Sequence, residues 1–476
     1  MGTTESTNRA GSRAKSPATM QIEARVNKKN SRAKSPVTMQ VEARVNEKLL
    51  IEDKTLVGVL SQHSKRLIVP LGVTIIGRAA FMNCMKLCFL GLPKSLTSID
   101  NGALCGCIRL ASLTLPENVT HVGDYAIQGC STLTSLTLPG SLVSVGTSAF
   151  RDCHLLASLI LPERLMSLGE QAFRGCSSLT SITLPVTVTS VSAFTFYKCT
   201  ALVSVTLPRN LTSVGTSAFH YCYCLTSLVL PVSLTSIGDS AFCCCKSLVS
   251  LTLPHRLSSV GRNAFNFCNN LTSVSVGKKA FNYHEGQRLS IVGDSAFADC
   301  KSLTSIQLPD SIISIGNNAF QNCFVLASIT LPSQLTSIGS EAFRECSGIT
   351  SLTLPLTCTS VGDCAFYGCS ALTSAALPEN LANVGELAFG FCKTLTALTR
   401  RLSPRSSRAF IVWVVGHSRN RSNWQLTTVR QLRNVLRLVM ALAFEGPREV
   451  PLDPNEIKGE DVFFQCQSLF KTKRYR

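Results

Sequence analysis

The sequence predicts a solenoid: a coil of short parallel strands, mainly β with one short helical turn per coil, in which each unit stacks on the next. Three observations lead there. Fourteen of the 22 cysteines lie on one ladder, 23 residues apart from Cys84 to Cys268 and again from Cys300 to Cys392. Prolines keep the same step from Pro70 to Pro254 and from Pro309 to Pro378. Within one period there are too few apolar residues to close a core, so the units can bury their apolar columns only against one another.

The elements of one coil follow in order. In "LTSITLP", Leu179–Pro185, the residues Ile182 and Leu184 alternate with Ser181 and Thr183, the period of a half-buried strand. Pro185 ends it, because proline has no N–H to give a continuing ladder. A second stretch such as "LTSIG", Leu335–Gly339, supplies another apolar pair and a glycine for a corner. Ala342, Phe343 and Cys346 then turn inward at spacings of one and three, which predicts the short helical turn. The single longer step, 32 residues between Cys268 and Cys300, accommodates an insertion at residues 277–288, expected to bulge from one coil as a loop without breaking the stack.

The unit resembles the BspA-like class of leucine-rich repeats, whose pattern reads LTSITLP…LTSIGxxAFxxC. The resemblance covers roughly residues 62–399 in fourteen coils. It implies a right-handed horseshoe or coil with parallel strands on one face, and a binding or adhesion module rather than an enzyme. The departures are few: Ser192 stands where glycine is expected, and Ile127 where phenylalanine is usual.

Three segments follow. Residues 1–59 form a basic, mobile arm containing a tandem duplication, Ser12–Lys29 and Ser31–Lys48, with Ser16 and Ser35 each followed by proline. Residues 60–399 are the solenoid. Residues 400–476 are a basic cap: Arg400 and Arg401 occupy the next Leu-Pro pair and end the repeat, since a charge is costly in a buried column. Within the cap, Thr428–Phe444 has helical spacing, with Val429, Leu432, Leu436 and Val439 on one face and Arg430, Arg433 and Arg437 on another. "GEDVFFQCQSL" near the end reads as a degenerate last coil.

Of 476 residues, 45% are hydrophobic, enough for a large core, and the net charge of +18 sits mainly in the flanks. Residues 60–399 carry 20 basic and 16 acidic side chains, which argues against a nucleic-acid groove. No apolar run is long enough for a spanning helix. The first residues match the short, common pattern for myristoylation at Gly2, but read as a polar tail. With no apolar leader in this chain the expectation is cytoplasmic; the alternative is a cell-surface or secreted adhesin whose signal sequence is missing from it.

No catalytic motif is present, and no cofactor or metal is assigned. The ladder cysteines are expected to be buried free thiols acting as small hydrophobes. His220, Cys222, Cys243, Cys244 and Cys245 form a local group in which a zinc or copper ion is conceivable, yet the paired C-x2-C spacing is missing. Candidate binding residues are the exposed threonine column Thr114, Thr137, Thr183, Thr206 and Thr252; the irregular Tyr197, Tyr221 and Tyr223; Lys278, Lys279, Phe281 and Tyr283 in the insertion; and Arg430, Arg433 and Arg437 for an anionic partner. The leading function is a non-enzymatic scaffold for a protein partner.

Overall fold

The structure, a computed structural model, describes residues 49–276, 289–378 and 380–400. It is a parallel-strand solenoid of about fourteen turns in which most coils contribute two short strands. The first row contains the Ser-x-Thr strands, such as Ser112–Thr114, Ser181–Thr183 and Ser351–Thr353. Their pairing is in register at the repeat step, with Ser181 opposite Ser204, Ile182 opposite Val205 and Thr183 opposite Thr206. The second row contains the Ser-Ile/Val pairs and runs as sheets of seven and nine strands. In both rows the middle or second residue points into the core, and the flanking hydroxyl residues face out.

The recurring "LTS" threonine is explained by its bonds. Thr212 donates its hydroxyl to the carbonyl of Thr189 at 3.0 Å, Thr235 to Thr212 at 2.9 Å and Thr336 to Ile313 at 2.8 Å. The side chain therefore staples one coil to the next. The glycine ending the second strand has a different reason. A Cβ added to Gly146 would lie 2.6 Å from the backbone nitrogen of Asp124, too close for any side chain. The glycine N–H donates to the preceding coil, Gly146 to Val122 and Gly169 to Val145, each at 2.8 Å.

Ser192 departs from that rule and the sheet breaks there, whereas Asp100, at the same place in an earlier coil, still donates its N–H to Ile76 at 2.8 Å within an unbroken row. The carbonyl of Leu168 accepts the Ser192 hydroxyl at 2.8 Å, where elsewhere a glycine N–H arrives. The seven-stranded row ends at Ser167–Leu168, and the nine-stranded row starts at Ser190–Val191. The coils remain joined through the turn segment, where Gln171, Phe173 and Gly175 donate N–H groups to Ala193, Thr195 and Tyr197 at 2.8–3.0 Å.

That turn segment corrects one expectation: among the described residues there is no helix. Alternate N–H groups close tight turns within a coil, as in Ala80 to Gly77, Met82 to Ala79 and Cys84 to Phe81. The intervening ones cross to the next coil, as in Ala79 to Asn101, Phe81 to Ala103 and Asn83 to Cys105. A helix would keep all of them to itself. The residues one and five before each ladder cysteine have positive φ, for example Asn318 at 56° and Asn322 at 60°, and this interrupts any right-handed run.

The core consists of stacked columns. From Phe150 to Phe389 eleven phenylalanine rings stack, with successive centroids 5.1–5.6 Å apart and planes within 17°. Each stacked pair adds about 0.5–1.5 kcal/mol beyond burial. Phe265 and Phe297 stack at 5.3 Å across residues 277–288, so the insertion leaves the stack unbroken. Beside the rings, the ladder thiols donate S–H to the phenylalanine carbonyl of the preceding coil, as in Cys176 to Phe150 and Cys199 to Phe173 at 3.3 and 3.2 Å. All described cysteines are free. Burial pushes the Cys84 thiol up to about 11 and raises those deeper in the ladder further.

The stack begins before residue 60. Leu49–Glu52 and Thr55–Val59 are strands joined through Asp53 and Lys54, both with positive φ, the geometry of a two-residue hairpin. Leu56 pairs with Ile76 and is fully buried, so the hairpin covers the open edge of the first coil. At the other end Ala397–Arg400 pairs with Ser374–Leu377. Of the cap expected at residues 400–476 only Arg400 is described, and its backbone pairs with Leu377 in the ladder; the expected helix and degenerate last coil, the duplicated arm and the insertion lie outside the described residues.

Candidate functional site

Three neighbouring columns on the turn side of the coil depart from the repeat together. At the 23-residue step one column reads Arg174, Tyr197, His220 and Cys243. The next reads Lys198, Tyr221 and Cys244, and a third Tyr223 and Lys246. Because the turn backbone is pinned coil to coil, sequence neighbours at this step become neighbours in space. Tyr221 N–H donates to Cys243 at 3.0 Å, Lys198 to His220 at 2.9 Å and Cys244 to Asn266 at 2.7 Å.

The rings form one cluster. Tyr197 meets Phe194, His220 and Tyr221 edge-on at centroid distances of 5.8, 5.4 and 5.6 Å. His220 stacks on Tyr221 at 4.0 Å, and Tyr221 meets Tyr223 at 5.7 Å. Cations line it: Arg174 lies 4.9 Å over the Tyr197 ring, Lys198 5.5 Å from Tyr197 and 5.9 Å from Tyr221, and Lys246 4.8 Å over Tyr223. Such pairs contribute about 0.5–1 kcal/mol each at exposed positions. Tyr197, Tyr221 and Tyr223 are all half-buried, with rings anchored on one side and open on the other.

Next to the rings, His220, Cys243 and Cys244 bring their ligand-type atoms within 4.8 Å of one another. The two sulfurs are 3.7 Å apart. The Cys244 thiol is pushed below its usual range by the hydrogen bond from Cys243, with His220 and Lys246 adding to the effect. The same bond holds the Cys243 proton more tightly. Cys222 and Cys245, grouped with them on sequence alone, turn into the core and donate to the carbonyls of Phe196 and Phe219 at 3.3 and 3.4 Å.

The remaining sequence candidates fall elsewhere. Thr114, Thr137, Thr183, Thr206 and Thr252 do form an exposed column on the first strand row, and Thr252 meets the Ser275 hydroxyl at 3.1 Å. The column is interrupted by Ile160 and Val229, which are 88% and 81% exposed. At those two coils regular strand pairing shrinks to the single bridges Ser158–Ser181 and Ser204–Ser227. Sequence reasoning selected the three tyrosines but missed Phe194, Arg174, Lys198 and Lys246; aligning the three columns at the repeat step is the signal that finds them. Lys278, Lys279, Phe281, Tyr283, Arg430, Arg433 and Arg437 lie outside the described residues. A shallow groove of about 680 Å³ runs along the second row between Ile291 and Gly385, lined by the same corner in every coil.

A coil built this way, with two parallel strands per unit and a continuous ring column inside, defines the class: a leucine-rich-repeat solenoid. The chain belongs to the BspA type leucine rich repeat family, whose model matches residues 61–180, 166–287 and 290–403. A leucine-rich repeat protein from Bacteroides ovatus is 27% identical and covers 74% of this chain and 93% of its own, with a TM-score of 0.66. A leucine rich cell surface protein from Faecalibacterium prausnitzii is 23% identical over 77% of this chain and 96% of its own, with a TM-score of 0.43. No curated protein sequence matches. No helix among the described residues is long and apolar enough to cross a membrane.

Proposed function

We propose that the chain is a non-enzymatic scaffold that holds a protein partner on the turn-side patch formed by Phe194, Tyr197, Tyr221 and Tyr223. The observation that carries this reading is the ring cluster with its four cation contacts. Aromatic rings fixed by their neighbours give contact area at little entropic cost, and arginine and tyrosine are the residues on which binding energy concentrates. Arg174, Lys198 and Lys246 suit a partner segment bearing acidic side chains beside apolar ones. The uniform threonine column favours no partner over another. A cytoplasmic placement belongs to the same proposal, because the exposed thiols of Cys88 and Cys224 and the adjoining pair Cys243 and Cys244 suit a reducing compartment.

The test uses the full chain as bait, comparing the native protein with Tyr197→Ala/Tyr221→Ala and with Thr183→Ala/Thr206→Ala. Proteins retained by the native chain and by the threonine variant, but lost with the tyrosine variant, are the expected result. Retention by the tyrosine variant together with loss in the threonine variant would move the binding surface to the strand face.

A further inference from the structure

We propose that His220, Cys243 and Cys244 bind one thiophilic d10 metal ion, Zn(II) or Cu(I), at the edge of the ring cluster. The inference does not rest on partner binding, since all three ligands come from this chain.

The separations fit. Two thiolates held at about 2.3 Å from a tetrahedral metal stand about 3.8 Å apart. The sulfurs of Cys243 and Cys244 are 3.7 Å apart without any ion. All three ligand atoms lie within 4.8 Å, so closing on a metal requires a shift of about 1 Å in the imidazole, within reach of its side-chain torsions. Adjacent residues of an extended strand point to opposite sides. Cys244 instead has φ of 62°, and its sulfur returns to the side of Cys243.

The support is rigid. The coil carrying His220 is tied to the coil carrying the cysteines by the Tyr221 N–H to Cys243 bond, and the latter to the next coil by the Cys244 N–H to Asn266 bond. Tyr221 stacks on the His220 ring at 4.0 Å and 24°, which restrains its orientation. Cys243 and Cys244 are 6% and 9% exposed and His220 is half-buried, so the site is closed at the back and open in front. One coil further along the column, the Oδ1 atom of Asn266 is buried and has no hydrogen-bond partner among the described residues.

The ligand chemistry selects the ion. Thiolate and imidazole together favour Zn(II) and Cu(I) over the hard cations, and two thiolates cancel the charge of Zn(II). The contrast with the ladder thiols is informative. Cys222 and Cys245 are committed to carbonyl acceptors in the core, whereas the sulfurs of Cys243 and Cys244 face each other and His220.

The experiment titrates the full chain, reduced and under anaerobic conditions, with Co(II) as a spectroscopic substitute for Zn(II), followed by Zn(II) and by Cu(I) with a competing chelator. A thiolate-to-cobalt charge-transfer band saturating at about one equivalent is expected, abolished in Cys243→Ser/Cys244→Ser and retained in Cys88→Ser/Cys224→Ser. His220→Ala should weaken binding by at least the ~10–100-fold that loss of an outer-shell partner costs. Which of Zn(II) and Cu(I) withstands the competitor identifies the ion. Should the double serine variant misfold, alkylation of the native chain serves: bound metal should slow modification of Cys243 and Cys244 and leave Cys88 and Cys224 unchanged. A band that survives the double replacement, neither Co(II) nor Cu(I) binding to the native chain, or equal alkylation with and without metal overturns the proposal.

Discussion

Phe196, Phe219 and Phe242 are followed directly by Tyr197, His220 and Cys243, and the two sets obey opposite rules. The phenylalanines are fully buried and stack at 5.1 and 5.2 Å, one coil like the next. The residues immediately after them change identity at every step: a half-buried tyrosine, a half-buried histidine and a cysteine buried against its neighbours. One backbone segment serves both because its N–H groups alternate between closing the turn and reaching the next coil. The inward column must repeat for neighbours to match in shape, which is a packing demand. The outward column is free to vary, and chemistry accumulates there.

The largest effect that tests this division is alkaline. Thirteen of the fourteen ladder thiols are raised by burial, Cys84 to about 11, Cys392 to about 12 and the rest further. In the unfolded chain these thiols ionise near pH ~8.5. The protonated form is favoured by folding, so its contribution is complete below that pH and is lost as pH rises above it. Each thiol costs up to about 1.4 kcal/mol per pH unit above its unfolded value, and the thirteen act in the same direction. Thermal unfolding between pH 8 and pH 10 should therefore show a steep fall in Tm. The fall should become shallower when Cys153, Cys176 and Cys199 are replaced by alanine. A slope unchanged by those replacements would remove the thiols from the account.

Next in size is the contrast between the buried ring column and the turn-side rings. Phe242→Ala opens a cavity in the ring column and should cost about 3–5 kcal/mol in denaturant unfolding. Phe219→Leu in the same column should cost less, because most of the volume is kept. On the turn side, Tyr221→Ala should cost less than Phe242→Ala, because it opens no cavity in the buried column. Equal losses at positions 242 and 221 would show that the turn-side rings are part of the core.

Much of the inward rule was legible in the sequence, because a buried column repeats its residue type at a fixed step. The cysteine ladder, the first strand row and the uninterrupted stack across residues 277–288 follow from that step, whereas the second row was legible only as an apolar pair and a corner. The turn segment was not legible as a turn: Ala342, Phe343 and Cys346 have helical spacing, while the left-handed positions vary among Asn, Asp, Gly, Ser and even Phe194 and Tyr221, which hides their shared backbone. The candidate site was half legible. Tyr197, Tyr221 and Tyr223 stand out singly, but their union with Arg174, Lys198 and Lys246 depends on coil-to-coil adjacency. Likewise Ile160 and Val229 read as ordinary strand residues until their exposure is seen.

The smallest expected effect lies at Ser192, one of two described corners where the glycine is replaced; at the other, Asp100, the N–H still donates to Ile76 at 2.8 Å and the strand pairing holds. Glycine ends the second strand because a Cβ would meet the backbone of the coil before it, as at Gly146 and Gly238, where it would lie 2.6 and 2.7 Å from backbone nitrogens. Ser192 accepts the consequence: the strand pairing stops between Leu168 and Ser190, and the hydroxyl takes the Leu168 carbonyl at 2.8 Å. Ser192→Gly removes that hydroxyl bond and lets the main chain approach, so one side-chain bond is exchanged for ladder bonds worth about 0.5–1.5 kcal/mol each. Glycine's greater freedom in the unfolded chain costs about 0.5–1 kcal/mol in return. The net change in stability should thus be about 1 kcal/mol or less, too small for a Tm shift to decide. Amide hydrogen exchange is the sharper measurement. In Ser192→Gly the N–H groups of residues 189–192 should exchange more slowly, approaching those of Thr212–Gly215 in an unbroken corner, while Tyr197 and Tyr221 are unaffected. Exchange at residues 189–192 that stays as fast as in the native chain would mean that the break is set by the neighbouring coils rather than by the serine.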